Sequence, residues 1–320
     1  MTPRVSPILA VLGLLWVVVV TGLAVLKPGA VALSTVTAVL QFSTILALVA
    51  LGQALVIVCG GAGIDISVGG MVSLAVVLAM LLVKAGLPGV LLPALCLAIG
   101  LALGLLNGFL VTRLRLLPLI ATLGTFYVYS GAAVALTGGA AQAGVPTYLL
   151  PWGRGAVGGL PLPFLTLALP VFVMAGVLLH TTSWGRWIYG MGFNERSARL
   201  VGIPVDRVRL AAYGASGALA GCAALVSLAW LGGGRPNIGQ NLELTSLTAA
   251  MLGGIGIFGG RGGVFGVLAA VLLLVTLQTG LLQLNVNTVW QVGIVGTILL
   301  IVLLILTFVR RSRAAKGAGK

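Results

Sequence analysis

The stretch "CGGAGIDISVGGMVSL", Cys59–Leu74, sets one carboxylate, Asp65, among five glycines. Apolar sequence continues for about twenty positions on either side, the length a helix needs to cross roughly 30 Å of hydrocarbon. A glycine-rich break carrying a charge between two such runs decides the fold class: the chain crosses a membrane repeatedly, and its backbone is interrupted at chosen points. Runs of the same kind recur over 7–26, 35–59, 68–84, 88–111, 117–137, 161–180, 210–231, 244–259, 263–284 and 288–309. They are apolar all round rather than alternating, which excludes a membrane barrel. The expected architecture is therefore all-α, a polytopic membrane bundle of about ten transmembrane helices with glycine-rich breaks, forming a single domain over 1–320. A flexible basic tail is expected over 310–320.

Composition agrees: 60% of the 320 residues are hydrophobic and 7% are charged, too little polar surface for a soluble domain. The net charge of +14 does not point to nucleic acid, because the basic residues sort by side. With the N-terminus inside, 14 of the 18 fall on one face and four, Lys27, Lys84, Arg154 and Arg235, on the other. That asymmetry predicts both termini in the cytoplasm. The first run is long enough to remain as an uncleaved helix. Cys59, Cys96 and Cys222 lie in apolar surroundings without metal spacing. His180, Trp152, Trp184, Trp187, Trp230 and Trp290 fall near span ends, where interfacial anchoring accounts for them.

The four acidic residues are Asp65, Glu195, Asp206 and Glu243, and none falls at the middle of an expected span. An ion-coupled carrier needs an ionisable group there, so the chain is expected to lack its own energy coupling. Glu195 and Asp206 lie with five arginines in a long loop, 181–209, expected on the cytoplasmic side. Within it "NERSARLVGIP" predicts a short helix, with Asn194 as cap, Glu195 in the first turn, Gly202 as stop and Pro204 beyond it. Two turns of mixed charge are not stable alone. The segment is either a solvated connection or a structured knob for a cytoplasmic partner. No P-loop, nucleophile triad, paired-carboxylate or metal constellation occurs, so an enzyme is not expected.

The opening motif has an echo. "GGAGIDISVGG" (60–70) aligns without gaps on "GGIGIFGGRGG" (253–263), matching at six positions, five of them glycine. Chance and internal duplication both remain open. Either way, Gly60, Gly61, Gly63, Asp65, Ser67 and Gly69, with Gly253, Gly254, Gly259, Gly260 and Gly262, mark two breaks. Irregular backbone at membrane depth survives only where protein buries it or a cavity wets it. Asp65 is expected between the second and third spans on the cytoplasmic side. There it caps the helix starting near Val68, with Ser67 as competing cap, or fixes a hinge beside the inner mouth of a pathway.

These residues resemble the membrane permeases of bacterial ribose-type sugar ATP-binding-cassette importers. "GGAGIDISVGG" is similar to the family's "GGIDLSVG" element. "LLNGFLVTRLRLLPLIATLGTFYVYSG" is similar to its segment from "NG" through "TLGT". "GRWIYGMGFNERSARLVGIPVDRVRL" resembles its cytoplasmic loop, and "NLELTSLTAAMLGGIGIFGGRGGVFGVL" its last long motif. The resemblance covers roughly 35–305. It implies about ten helices without catalytic activity, in the bacterial inner membrane. It also implies a second permease copy or sister chain, a periplasmic sugar-binding protein above, and an ATPase below that would hold ATP and Mg. Gly192, Asn194, Glu195, Ala198, Arg199, Leu200, Gly202 and Ile203 fall on the family's ATPase-coupling segment. Two positions depart from the pattern: Ser130-Gly131 replaces an Arg-Gly pair, and Ala62 interrupts the glycines. Ribose, other pentoses, rhamnose and autoinducer-2 all stay open as substrates.

A path for uncharged sugars needs modest polarity. Asn107, Thr122, Thr125, Ser130, Thr248 and Gln278 are the candidates to line it, and each could equally make a helix–helix hydrogen bond. Arg235 and Glu243 are candidates on the outer face for receiving the binding protein, or plain rim charges. The rival classes are a self-contained secondary carrier and a passive channel.

Overall fold

The computed structural model describes residues 7–27, 29, 32–61 and 63–287, and the single positions 290, 293, 296, 297, 300 and 304. The expected span 288–309 falls largely outside the described residues, as do Ala62, Arg4 and the basic tail. The chain is helical from α1 (Pro7–Leu26) through α2 (Leu33–Val58), α3 (Val68–Lys84), α4 (Leu92–Thr112) and α5 (Pro118–Thr137). After the short α6 (Leu150–Arg154) come α7 (Leu169–Thr181), α8 (Ser183–Phe193) and α9 (Glu195–Leu200), then α10 (Val205–Leu231), α11 (Leu242–Leu252) and α12 (Val264–Gln283). Two antiparallel ladders of two residues per strand, Gln142–Ala143 with Gly233–Gly234 and Ala156–Val157 with Leu160–Pro161, tie loops together.

Seven of the described helices are long and apolar enough to cross a membrane, and two of the expected spans are shorter. The run expected over 68–84 forms a 17-residue helix. The run expected over 244–259 is helical only from Leu242 to Leu252. Its glycine-rich second half cannot propagate a helix, because Gly254 and Gly259 adopt positive φ.

α2 is the central post. Apolar on every face, it is buried from Leu46 through Cys59, as a helix without a polar stripe must be, and it packs on α10, α11 and α12. α1 lies outside against α12, with Trp16 Nε1 donating to Thr276 Oγ1 at 3.2 Å.

The most extensive contact joins α4 to α10, and its cause is a pair of glycine seams. Gly100, Gly104 and Gly108 recur every fourth residue on α4 and face Tyr213, Gly217 and Gly221 on α10. A Cβ on Gly217 would lie 2.7 Å from the Cα of Gly104. Without a hydrophobic force between helices in lipid, such close backbone approach supplies the packing. Gly217→Leu is expected to cost more than about 3 kcal/mol by overpacking. The variant should lose the monodisperse peak that the parent chain gives on size exclusion in detergent, whereas Gly124→Leu, where a Cβ would meet nothing within 4 Å, should keep it.

Among the described residues, several of the basic side chains can be placed at one end or the other. Arg115 acts on Asp206, and Arg199 and Arg209 share the same end as the two glycine breaks. At the opposite end Lys27 Nζ donates to the Gln283 carbonyl (2.7 Å) and Arg154 Nε to the Trp230 carbonyl (2.8 Å). Those carbonyls close α12 and α10, where helix C-termini favour cations.

Candidate functional site

The two glycine breaks meet. Gly60 and Gly61 end α2 at positive φ (72° and 65°), and the Gly260 N–H from the second break donates to the Val58 carbonyl at 2.9 Å. A Cβ on Gly60 would lie 2.8 Å from the Cα of Gly192. Gly192, in the last turn of α8, fits between Val58 and Gly260 with no room for a side chain. Tyr189 Oη, one turn earlier on α8, donates to the Gly262 carbonyl at 2.8 Å. Four glycines from three segments, Gly60, Gly192, Gly259 and Gly260, thus form one backbone-to-backbone junction. The pattern of two breaks was legible in the sequence, but their contact with each other and with Gly192 was not.

The predicted knob is built directly onto that junction. Asn194 caps α9, its Oδ1 accepting the Ser197 N–H at 3.0 Å. Gly202, at φ 82°, ends it, and the Ile203 N–H donates to the Ala198 carbonyl (3.0 Å). Ala198 is buried beneath the helix. Arg199 pairs with Glu195 at 3.0 Å and with Asp206 at 2.6 Å, while Arg209 pairs with Glu195 at 2.6 Å. Arg209 was not a sequence candidate, since it reads as one more positive-inside arginine. Yet it is only 9% exposed, and its guanidinium reaches Gly61 in the first break. The Arg209 hydrogen bond holds the Glu195 carboxyl below its ordinary range, against burial and with help from Arg199. Glu195 is therefore charged at every pH above the ordinary value near 4.5, and its contribution is lost only as pH falls through the depressed value. On the outside of this braced helix, Leu200 is 82% and Val201 77% exposed.

Asp65 is not near the surface, as the sequence led us to expect; it is fully buried. From Gly61 the chain turns back into the bundle, so that α3 starts inside it. Asp65 Oδ1 accepts the Ser67 N–H (3.0 Å) and the Ser67 hydroxyl (2.6 Å), so the acid pins the turn just ahead of α3, while Ser67 holds the N-cap position without a side-chain cap bond. The irregular backbone is satisfied from neighbouring helices. In the orientation its neighbours dictate, the Gln53 amide donates to the Asp65 carbonyl at 2.8 Å and accepts the Asp65 N–H at 3.3 Å. Thr122 Oγ1 accepts the Ile66 N–H (3.2 Å), Asn107 Nδ2 donates to Ser67 Oγ (2.6 Å), and Tyr129 Oη donates to Asn107 Oδ1 (3.3 Å). Asn107 and Thr122, expected as pathway candidates, are fully buried and brace this segment instead. Thr125 is buried, its hydroxyl donating to the Thr122 carbonyl (3.2 Å). Ser130 abuts Gly70, and Thr248 donates to the Leu244 carbonyl (2.8 Å).

A second re-entrant stretch follows α10. Gly234 packs on Val76 and Met80, whereas Gly239 packs against Gly69, its N–H donating to Ser73 Oγ at 3.0 Å. The segment therefore descends beside α3 by about 10 Å, at 1.5 Å per helical residue. α11 then starts within the bundle. Arg235 is exposed at the top of this descent. Glu243 is not on a rim: its Oε2 is buried beside Gly69. Neither Asp65 nor Glu243 falls at the middle of a helix, as expected, yet each has carboxylate oxygen buried among the helices. In both cases a re-entrant turn brings a residue that sequence places between spans in among the helices. Gln278 faces a cavity between α2, α10 and α12.

Residues 35–303 match the family described as branched-chain amino acid transport system / permease component. The chain is 36% identical over 251 residues to the ribose import permease protein RbsC of Bacillus subtilis (strain 168), covering 78% of this chain and 77% of that one. It is 36% identical over 245 residues to the autoinducer 2 import system permease protein LsrD of Klebsiella pneumoniae, covering 75% and 73%. To the ribose import permease protein RbsC of Escherichia coli (strain K12) it is 33% identical over 275 residues, 83% and 84% of the two chains. No solved structure matches the chain.

Proposed function

We propose, from the premise that the chain belongs to the branched-chain amino acid transport system / permease component family, how its parts move a substrate. It is the permease subunit of a bacterial sugar-type ATP-binding-cassette importer, a multi-pass inner-membrane protein and not itself an enzyme. Its relatives import ribose and autoinducer-2, so the cargo class is a small sugar or sugar-like molecule. The self-contained carrier is not favoured.

The observation that carries the mechanism is α9: a helix too short to stand alone, capped at both ends and held by three ion pairs, that turns Leu200 and Val201 outward. Exposed apolar residues on a rigid mount suit a protein partner. In our reading that partner is a separate ATPase dimer, which binds ATP and Mg. Its closure pushes α9, and the Glu195–Arg209 pair passes the displacement to Gly61. Ten spans, cytoplasmic termini and a second permease copy or sister chain complete the arrangement. A periplasmic binding protein would confer most of the selectivity, with Arg235 among the residues that meet it. Such transitions exchange packed arrangements rather than bend them continuously.

Affinity purification of the tagged permease from its native cell tests this. The wild type should bring down an ATPase with a P-loop. Leu200→Asp with Val201→Asp should reduce its recovery by about tenfold or more, as expected for removing apolar anchors at a hot spot, without lowering permease abundance. Recovery equal to wild type would refute the docking assignment.

A further inference from the structure

A cavity of about 350 Å³ lies between α2, α10, α12 and the start of α11. That is within the size range of small-molecule sites, roughly 300–1,000 Å³. None of its walls carries a charged side chain. Phe42 and Trp230 form one wall, edge to face with centroids 4.8 Å apart. Asn241, Thr245, Gln278 and Thr279 bring amides and hydroxyls to it.

Those polar groups have little else to do. Among the described residues, neither the Asn241 and Gln278 amides nor the Trp230 ring N–H takes a hydrogen bond partner. Asn241 stands at positive φ immediately before α11, the position of a helix cap, yet its side chain makes no cap bond. Thr245 donates to the Asn241 carbonyl (2.8 Å) and keeps its lone pairs free. An amide that has no partner at a cavity wall is free both to donate to and to accept from a bound molecule.

We infer that this cavity binds a small, uncharged, polyhydroxylated molecule, with C–H faces against Trp230 and Phe42 and hydroxyls on the amides of Asn241 and Gln278. The absence of wall charges disfavours ions and amino acids, whose charges would be desolvated without a counter-charge. Two amides that each donate and accept suit adjacent hydroxyls, and an acyl chain would leave them unmet. The location adds a role. The turn that floors the cavity, Ile238–Leu242, contains Gly239, which seals against Gly69. The cavity is open on one side, with Phe42 and Leu282 exposed, and lies toward the C-terminal ends of α10 and α12, away from the glycine junction. This inference rests on the sugar-permease reading and assigns it a substrate-contact site within one permease chain.

The test uses the complete importer with its binding protein in proteoliposomes, offered D-ribose, D-xylose, L-rhamnose and autoinducer-2. For the compound transported best, Gln278→Leu and Trp230→Leu should each raise KM by about tenfold, with Trp230→Phe staying close to wild type. ATP hydrolysis stimulated by the binding protein should be unchanged in all three, which shows that the complex is folded and coupled. Saturation-transfer signals from the sugar on the permease–ATPase complex alone should fall with the KM effect. Unchanged KM and unchanged transfer in both leucine variants would overturn the inference while leaving the permease reading intact. So would quenching of Trp230 by brominated acyl chains that the sugar cannot compete away, which would make the chamber a lipid site. If the wild type transports none of the four, the sugar-permease reading fails and the inference with it.

Discussion

Uptake by the assembled importer should fall by at least about a hundredfold, some 2.7 kcal/mol or more in rate terms, when Gly192 is replaced by valine. Gly192 has the carbonyl of Val58 on one side and the backbone of Gly260 on the other. A β-carbon cannot enter without parting the two glycine breaks, and the atoms in the way are backbone, which cannot rotate aside as a side chain would. The same parting would stretch the Gly260 N–H to Val58 carbonyl bond of 2.9 Å and the Tyr189 bond to Gly262 of 2.8 Å. The first ties the second break to α2, and the second holds α8, and thereby α9, to that break. The expected phenotype is therefore specific: inserted permease, normal recovery of the ATPase on Leu200 and Val201, but hydrolysis no longer stimulated by the binding protein. Membrane abundance, ATPase recovery and stimulated hydrolysis measured on one preparation separate this from simple misfolding. Gly190→Ala is the control two residues away, because a Cβ there would meet only the Ile203 side chain at an ordinary 3.7 Å. Retention of stimulated hydrolysis by Gly192→Val would show that the junction transmits nothing.

What the sequence could and could not disclose follows from the range of its signals. Helix α9 was readable because its cap, first-turn acid and terminal glycine are local features within ten residues. The long spans were readable because apolar length is a property of a continuous segment. The re-entrant turns were not. Asp65 lies within a glycine-rich stretch and Glu243 just after the glycine and polar residues of 239–241, as in a surface turn, and only Gln53, Thr122 and Asn107 reaching in from three other helices reveal that the backbone at Asp65 is buried and satisfied. In sequence, Thr122 and Asn107 look like residues that line a pathway as much as residues that bond between helices. The ambiguity is inherent, since a side chain that serves buried backbone and one that lines a pore both appear as a small polar residue in an apolar run. Arg209 was hidden for a different reason: positive-inside arginines are numerous, and only the fold shows which one lies under the knob.

The second large effect is expected at Asp65, where two substitutions of similar size should diverge. One carboxylate oxygen accepts both the N–H and the hydroxyl of Ser67. The other is buried without a partner, as are Tyr213 Oη and Ser216 Oγ, two groups close enough to act electrostatically or by hydrogen bonding with the same carboxylate. Asparagine offers its amide oxygen to both Ser67 donors, so both hydrogen bonds are kept in kind and no charge needs burial. Leucine offers no acceptor. It strands the Ser67 N–H and removes the acceptor of the Ser67 hydroxyl, at about 1–3 kcal/mol for each group left unmet. Helix α3 then loses its start, and the packing of Gly239 on Gly69 in its first turn loses its footing. Asp65→Asn should retain most uptake and thermal stability, while Asp65→Leu should lose about 3 kcal/mol or more and most of its uptake. Thermal unfolding of the detergent-solubilised complex, read beside uptake in proteoliposomes, checks both. If asparagine fails as badly as leucine, the negative charge itself is required and Asp65 does more than pin the break. If both behave as wild type, the capping role is wrong.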